Sequence, residues 1–303
     1  MHAWESIQIT INYIEDHLCD EIKIDKLASL ACLSTFYYQR LFKRLVKCSL
    51  QEYMKYRRLA VSSKALCESD ARIIDIAVKY QFSNHANYSR AFKEVYGVTP
   101  DEYRKHQLPL NHFVKPELLL NYVMMDEGIP LISDEMVIEI TRKKFDKERY
   151  FVGIEQEVEV SELMSPQTTG VSTITYLWEE LGKRVNDIPY KRKDGNDFGV
   201  LYMGNAREGN CMYMAGVEVD RYVEVKGFKT FVLPIKEYLV TGFEAETFDE
   251  LVNSAINKAD AFTARWMEEH NLVGVGGFAA ELYYPPTEQS AYLEHLVCFK
   301  EKE

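Results

Sequence analysis

RIIDIAVKYQFSNHANYSRAFKEVYGVTP, residues Arg72–Pro100, packs a short helix, a tight turn and a second helix into one unit, the spacing of a helix-turn-helix. Ile73, Ile76, Ala77 and Tyr80 recur at helical spacing, the QFSN segment supplies turn residues, and Tyr88, Ala91, Phe92 and Val95 form the inward face of the next helix. His85, Ala86, Asn87 and Arg90 are left pointing outward. Asn pairs bidentately with adenine and Arg with guanine in a major groove, so polar residues at the exposed start of a second helix suit base reading.

A second copy lies upstream. Ile24 to Cys32 (IDKLASLAC) is followed by Leu33 and Ser34, then by TFYYQRLFKRLV. Leu27, Ala28 and Ala31 face inward, Phe42 and Leu45 continue the core, and Phe36, Gln39, Arg40 and Lys43 are left for DNA. Between the copies, Leu50 to Ser69 reads as one helix of about 30 Å, close to the length of about 34 Å for one turn of duplex. The spacing therefore predicts that one chain lays two recognition helices in successive major grooves. The bland alternative is a helical bundle with polar outer faces.

Ser89 to Arg104, SRAFKEVYGVTPDEYR, carries the signature of the AraC/XylS family of transcription regulators, and residues 1–108 resemble its DNA-binding domain. Within that family the nearest resemblance is to the Rob and MarA group, whose first recognition helix reads W-x-x-Q-R-x-F-K; here Phe36, Gln39, Arg40, Phe42 and Lys43 stand in that pattern. Phe replaces the indole, so its donor is lost. The group's second recognition helix has Gln-Gln-Thr before its Arg, where this chain has His85, Ala86 and Asn87 before Ser89-Arg90. The resemblance implies the same docking on a different operator.

The net charge of −11 would argue against nucleic-acid binding if it were spread evenly. It is not. Residues 1–108 hold 16 Lys/Arg and 13 Asp/Glu, giving +3; residues 109–303 hold 20 and 34, giving −14. The acidic half avoids DNA or binds something cationic, although most such carboxylates simply face solvent. The 303 residues, 47% of them hydrophobic, suffice for two cores. The six cysteines are scattered and read as reduced thiols, with no metal grouping and no cofactor motif. The N-terminal stretch MHAWESIQITINYIEDHL reads as an amphipathic helix rather than a signal peptide, and no apolar run reaches membrane length. These readings predict a cytoplasmic protein without a membrane partner.

Residues 109–134 carry three apolar clusters broken by Pro116 and Pro130, the composition of a packed connector rather than a floppy linker. From Met136 onward the pattern becomes strand, helix, strand, strand, and repeats. Tyr150–Gly153 matches Tyr238–Gly242; helices follow at Thr168 to Val185 and Phe248 to His270; strand pairs follow at Phe198 to Gly204 with Cys211 to Glu218, and at Phe278 to Tyr284 with Tyr292 to Lys300. The expected fold class is therefore two domains: an all-α double helix-turn-helix over 1–108 and, past the connector, an α+β domain of two βαββ repeats over 135–303. A cleft is expected where helices and sheet diverge.

Along FAAELYY, period-two alternation puts Ala279, Glu281 and Tyr283 on one face. An acid beside aromatic rings can hold a cation by charge and by the ring quadrupole; a half-exposed surface Glu is the equal alternative. The residues from Met136 on resemble the GyrI-like effector-binding domain, in which an E-x-Y strand supplies the acid at the ligand pocket. That resemblance implies a ligand role for Glu281 and Tyr283, with Trp266 as the aromatic on the preceding helix. Tyr176, Tyr202 and Tyr213 are further wall candidates from their place in the repeat, while Trp178, with Ile174 and Leu181, is assigned to core. Glu155, Glu157 and Glu159 read as a solvated strand face rather than a metal site, and Gly274–Gly277 lacks the length and following Lys of a phosphate loop. No Ser/His/Asp or Cys/His catalytic set is legible.

The reading is a ligand-responsive, sequence-specific transcription activator, not an enzyme. Its expected partners are double-stranded promoter DNA, a small amphipathic or cationic effector, and RNA polymerase. Alternatives for the C-terminal half are a hydrolase or toxin-binding module using Glu281, or a protein-interaction module.

Overall fold

The computed structural model describes residues 2–133, 136–160, 169–287 and 290–302. They fall into two compact units, Met1–Val123 with Pro166–Ser172, and Met124–Ser165 with Thr173–Glu303.

The first unit opens with α1 (Ala3–Asp16), which buries Ile7, Ile11 and Ile14 along one stripe. The first helix-turn-helix is α2 (Ile24–Leu30) and α3 (Thr35–Val46). Its turn passes through Cys32 in the left-handed region, and the Ser34 hydroxyl caps α3 by accepting from Tyr37 N. After α4 (Leu50–Glu68) comes the second copy, α5 (Ile73–Lys79) and α6 (His85–Tyr96). There the left-handed residue is Gln81, and the Asn84 side chain caps α6 by accepting from Asn87 N at 2.8 Å. The same turn bond recurs in each copy, Leu33 N to Ala28 O and Phe82 N to Ala77 O, both 2.9 Å. Then α7 (Pro100–His106) starts on a Thr99–Glu102 capping box with proline at its first turn.

Each copy has its own core. Tyr38, Phe42 and Leu27 belong to the first, and Tyr88, Phe92 and Ile76 to the second; α4 lends Leu50 and Tyr53 to one and Leu59 and Leu66 to the other. The turn after α1 is tied to both halves: Arg58 of α4 donates to Leu18 O and Asp20 O, each at 2.9 Å, and the Gln81 amide donates to Cys19 O at 2.6 Å.

Arg57 grips the Glu15 carboxylate with two nitrogens, at 3.0 and 2.8 Å, and donates a third bond to Phe113 O at 2.6 Å, while Tyr53 OH adds a bond to Glu15 at 2.5 Å. Both ionic side chains are mostly buried. Removing one partner of such a pair strands the other. Arg57→Ala is expected to destabilise this unit by about 3–5 kcal/mol in a denaturant titration followed by far-UV circular dichroism, and Arg57→Met by much less.

The segment 109–134 divides. Leu110, Phe113 and Leu118 are buried in the helical cores, beside the short helix α8 (Leu119–Tyr122), whereas Met125 O accepts from Trp266 Nε1 at 2.9 Å and Gly128 N bonds Ile140 O at 2.8 Å in the second unit. A small strand β1 (Leu110–Asn111) pairs with a strand from far along the chain, Gly170–Val171, which counts here as β5.

The second unit is a nine-stranded antiparallel sheet. In chain order its strands are β2 (Leu131–Ser133), β3 (Met136–Lys144), β4 (Arg149–Glu159), β6 (Asp197–Tyr202), β7 (Asn210–Val219), β8 (Lys229–Leu233), β9 (Glu237–Ala245), β10 (Leu272–Tyr283) and β11 (Ala291–Glu301). Their order in the sheet is β2-β3-β9-β11-β10-β6-β7-β4-β8. Helix α9 (Thr173–Arg184) follows β4, and α10 (Ile256–Glu269) follows β9 after a short turn, Phe248–Glu250, and a π-helical turn, Leu251–Ala255. The two βαββ units are thus β4-α9-β6-β7 and β9-α10-β10-β11, joined through β6 and β10 at the centre.

Two helix boundaries differ from the sequence reading. The first helix begins at Thr173 because β5 occupies Gly170–Val171; Thr168 lies outside the described residues. The second is broken by the π-turn. Strands β2, β3 and β8 add to the repeat pattern. In a flat sheet β3 and β4 would stand about 29 Å apart, yet only residues 145–148 join them, a reach of about 17 Å. The same holds for β8 and β9. The sheet must curl, and inside the curl lie Phe151, Phe198, Met214, Leu233, Tyr238 and Leu296. The helices cover the other face, α9 packing Leu177 and Leu181 on Val152, Ala215 and Val217.

Candidate functional site

On α3, Phe36, Gln39, Arg40 and Lys43 are all exposed, as are His85, Asn87 and Arg90 on α6. Inward Tyr38 and Phe42, Tyr88 and Phe92 set the rotation of each helix, so the i, i+3, i+4 partners must face out. Phe36 is 61% exposed, and the Arg40 guanidinium lies 5.5 Å from its ring centre, a contact that restrains a long side chain. Tyr37, 64% exposed and edge-on to Phe36 at 5.6 Å, joins this surface; the sequence reading passed over it because two adjacent aromatics gave no reason to prefer the second. Asn87 is partly committed, its amide donating to Ser83 Oγ at 2.7 Å.

The second site centres on Glu281, whose register partners across β6 and β11 are Gly199 and His295. Glu281 is 7% exposed. Its Oε2 accepts from Tyr213 OH and from Tyr283 OH, each at 2.8 Å, and Trp178 Nε1 donates to Tyr213 OH at 3.1 Å. The Trp178 ring meets Tyr283 edge-on at 5.2 Å, and the Phe248 ring lies 6.3 Å from Tyr283. Gly199 makes this possible. A Cβ there would fall 2.3 Å from Glu281 Oε2 and 2.4 Å from Tyr213 OH, so only glycine lets carboxylate and phenol lie against the strand.

Burial pushes the Glu281 carboxyl above its ordinary range, with Asp260 adding to the rise and His295 and the two phenols opposing it. Burial also holds both phenols neutral, with the neighbouring carboxylate as the next cause. His295 Nδ1 lies 2.7 Å from Asp260 Oδ1 of α10, off the line of a straight hydrogen bond. Burial, the largest single influence, would lower the imidazole, but Asp260 and Glu281 together outweigh it and raise it to about 8. The arrangement is a buried acceptor walled by aromatic rings, with one imidazole beside it. An ionised carboxylate so placed needs a cation. Trp178 also lines a groove of about 380 Å³ that runs past Leu181, Lys191 and Asp197, so this indole stands between the groove and the carboxylate.

Of the other wall candidates, Tyr202 is on the opposite face: Gly199 pairs with Glu281, so Tyr202, an odd number of residues along, turns into the curl against Phe231 and bonds Glu155. Trp266 is committed elsewhere, stacked on His270 at 3.7 Å with its N–H on Met125 O. Tyr176 is 47% exposed on α9. Trp178, assigned to core by its spacing, reaches the carboxylate's phenol, and His295 was not singled out. Its only signal in the sequence was a lone histidine in an apolar strand. The Glu155–Glu159 face pairs with cations, Arg207 on Glu157 and Lys229 near Glu155. No helix among the described residues is long and apolar enough to cross a membrane.

A helix-turn-helix domain family matches residues 27–106, and the family of the integron-associated effector binding protein matches residues 139–296, just over half of the chain. Over 104 residues the chain is 38% identical to the uncharacterized HTH-type transcriptional regulator YbfP of Bacillus subtilis, covering 34% of this chain and 35% of that protein. It is 41% identical over 85 residues to the probable transcription factor PqrA of Proteus vulgaris, covering 28% of this chain and 70% of that one. To the HTH-type transcriptional activator AarP of Providencia stuartii it is 33% identical over 92 residues, covering 30% and 68%. The chain thus spans about a third of YbfP, and over two thirds of the other two. With two helix-turn-helix copies in its helical unit and an effector-binding match across its sheet, the chain belongs to the AraC-type helix-turn-helix transcription regulators that carry an effector-binding domain.

Proposed function

We propose that this protein is a cytoplasmic transcription activator that reads promoter DNA with α3 and α6 and answers to an aromatic or amphipathic cation held by Glu281. Residues 1–108 form its DNA-binding domain, 109–134 the connector and 135–303 the effector domain, with RNA polymerase as the further partner. The single observation that carries the ligand reading is the Glu281 carboxylate buried under two phenols and Trp178, with His295 as the neighbour that favours its ionised form. Phe36, Gln39, Arg40 and Lys43 on one helix and His85, Asn87 and Arg90 on the other supply the DNA contacts. The ligand acts only through its different affinity for the two states of the chain. A route is available: α9, which carries Trp178, begins two residues after β5, and β5 pairs with β1 in the helical unit.

The test is a thermal-shift and calorimetric titration of the whole chain with tetraphenylphosphonium, followed by promoter binding with and without it. Stabilisation together with altered operator affinity supports the proposal; no shift with this or other aromatic cations removes it. On the DNA side, Arg40→Ala and Arg90→Ala are each expected to cost about 1–3 kcal/mol at particular base pairs and to relax specificity there, measured against a panel of operator variants. A uniform loss over all sequences would assign those arginines to phosphates.

A second reading, hydrolysis of a reactive ligand with Glu281 as general base, draws on the His295–Asp260 pair beside it. Recovery of activated ester or epoxide probes unchanged in mass after incubation would count against it.

A further inference from the structure

We infer that Glu281 and His295 hold one proton between them which a cationic ligand must expel, so that His295 makes this site a proton-antagonised cation receptor. The inference rests on the cation reading above and adds the residue that sets its affinity.

The geometry is a cross-strand pair. Glu281 of β10 and His295 of β11 are direct register partners, and so project from the same face of the sheet. Glu281 is buried and the His295 side chain is only 12% exposed, so neither holds an uncompensated charge cheaply there. The other groups acting on the pair are Tyr213 from β7, Tyr283 from β10 and Asp260 from α10. Gly199 on β6, Thr241 on β9 opposite His295, and Trp178 on α9 also stand beside the pair, and none of these three carries a charge. The phenols stay protonated, so among these groups the imidazole is the one cation able to balance Glu281. Asp260 is half exposed and holds the imidazole from the side away from the sheet.

A monocation entering against Glu281 takes over that role. The imidazolium beside it then faces a like charge in a low-dielectric site, and loses its proton to solvent. Charge balances: one ligand cation enters as one proton leaves. Below the imidazole's raised midpoint, affinity should therefore fall about tenfold per pH unit, and above it should be level.

The experiment uses the full chain and tetraphenylphosphonium, titrated by calorimetry between about pH 6 and pH 9 in two buffers of different ionisation enthalpy. The expected result is close to one proton released per ligand at the acid end, with affinity rising about tenfold per unit towards pH 8. His295→Gln should flatten the profile, abolish proton release and tighten binding at acid pH. A variant that keeps the slope overturns the inference. Because that variant perturbs a buried contact, a ligand-free measurement stands beside it: the His295 ring titration by NMR in the full chain, which Glu281→Gln should shift to lower pH. No movement overturns the shared proton. Binding that depends on Glu281 but is independent of pH overturns this inference and leaves the cation reading standing; no binding at any pH overturns the cation reading and the exchange with it.

Discussion

Glu281→Gln is expected to cut affinity for tetraphenylphosphonium about thirtyfold or more while leaving the protein without ligand as stable as before or more so. The affinity loss follows from removing a buried charge partner, which costs about 2–5 kcal/mol. The stability change has the opposite sign, because the carboxylate is a burden until a ligand arrives. Its folded-state pKa is raised, so ionisation works against the fold: any contribution is present below the unfolded carboxyl pKa and is lost as pH rises through the folded value. Glutamine keeps the volume and can still accept from Tyr213 and Tyr283, and it titrates nowhere. The variant's advantage in melting temperature should therefore grow with pH. For His295, also raised, stability is present at acid pH and lost as pH passes about 8. A Glu281→Gln protein that melts lower than the parent at every pH would mean the carboxylate is a structural acceptor rather than a ligand-binding group.

Gly153→Ala is expected to break the sheet unit. An added Cβ would lie 1.8 Å from Ala215 O and 2.4 Å from Gly216 Cα, both backbone atoms of the paired strand β7, which cannot rotate away as a side chain could. The ladder Val152↔Val217, Gly153↔Gly216, Ile154↔Ala215 would have to part. The cost is about 3 kcal/mol or more, at the upper end of overpacking effects, and reaches the layer under α9. Gly199→Ala offers the contrast: its Cβ meets the movable ends of Glu281 and Tyr213, so it should disturb the ligand site more than the fold. Denaturant titration monitored by tryptophan fluorescence, with operator binding by the helical unit as a control, separates the two. A Gly153→Ala protein with an unchanged midpoint would refute the close approach.

Both helix-turn-helix copies were legible because everything that forms them is local. Within each copy the cap, Ser34 or Asn84, the left-handed turn residue and the apolar positions at 3.6-residue spacing lie within about 25 residues of each other. Rotation of the recognition helices followed from their buried sides, so Phe36, Arg40, His85 and Arg90 could be assigned outward with no tertiary information. Strand and helix order in the sheet unit was legible for the same reason, and so was the face Glu281 shares with Tyr283.

Tertiary structure alone decided what stands opposite that face. Alternation within a strand says which residues agree with each other, and strand pairing says which agree with a neighbouring strand. A shift of one residue reverses the answer. Tyr213 and Tyr202 looked alike in the sequence, but the pairing of Leu201 with Tyr213 and of Gly199 with Glu281 puts one phenol on the carboxylate and the other inside the curl. His295 is fourteen residues from Glu281 and became its neighbour only through the β10–β11 register. Trp178, more than a hundred residues away, was brought in by the rotation of α9 on the sheet. Local propensity and periodicity wrote the helix-turn-helix half into the chain; the charge and shape around Glu281 came from long-range pairing, which one sequence read along its length does not encode in any single segment.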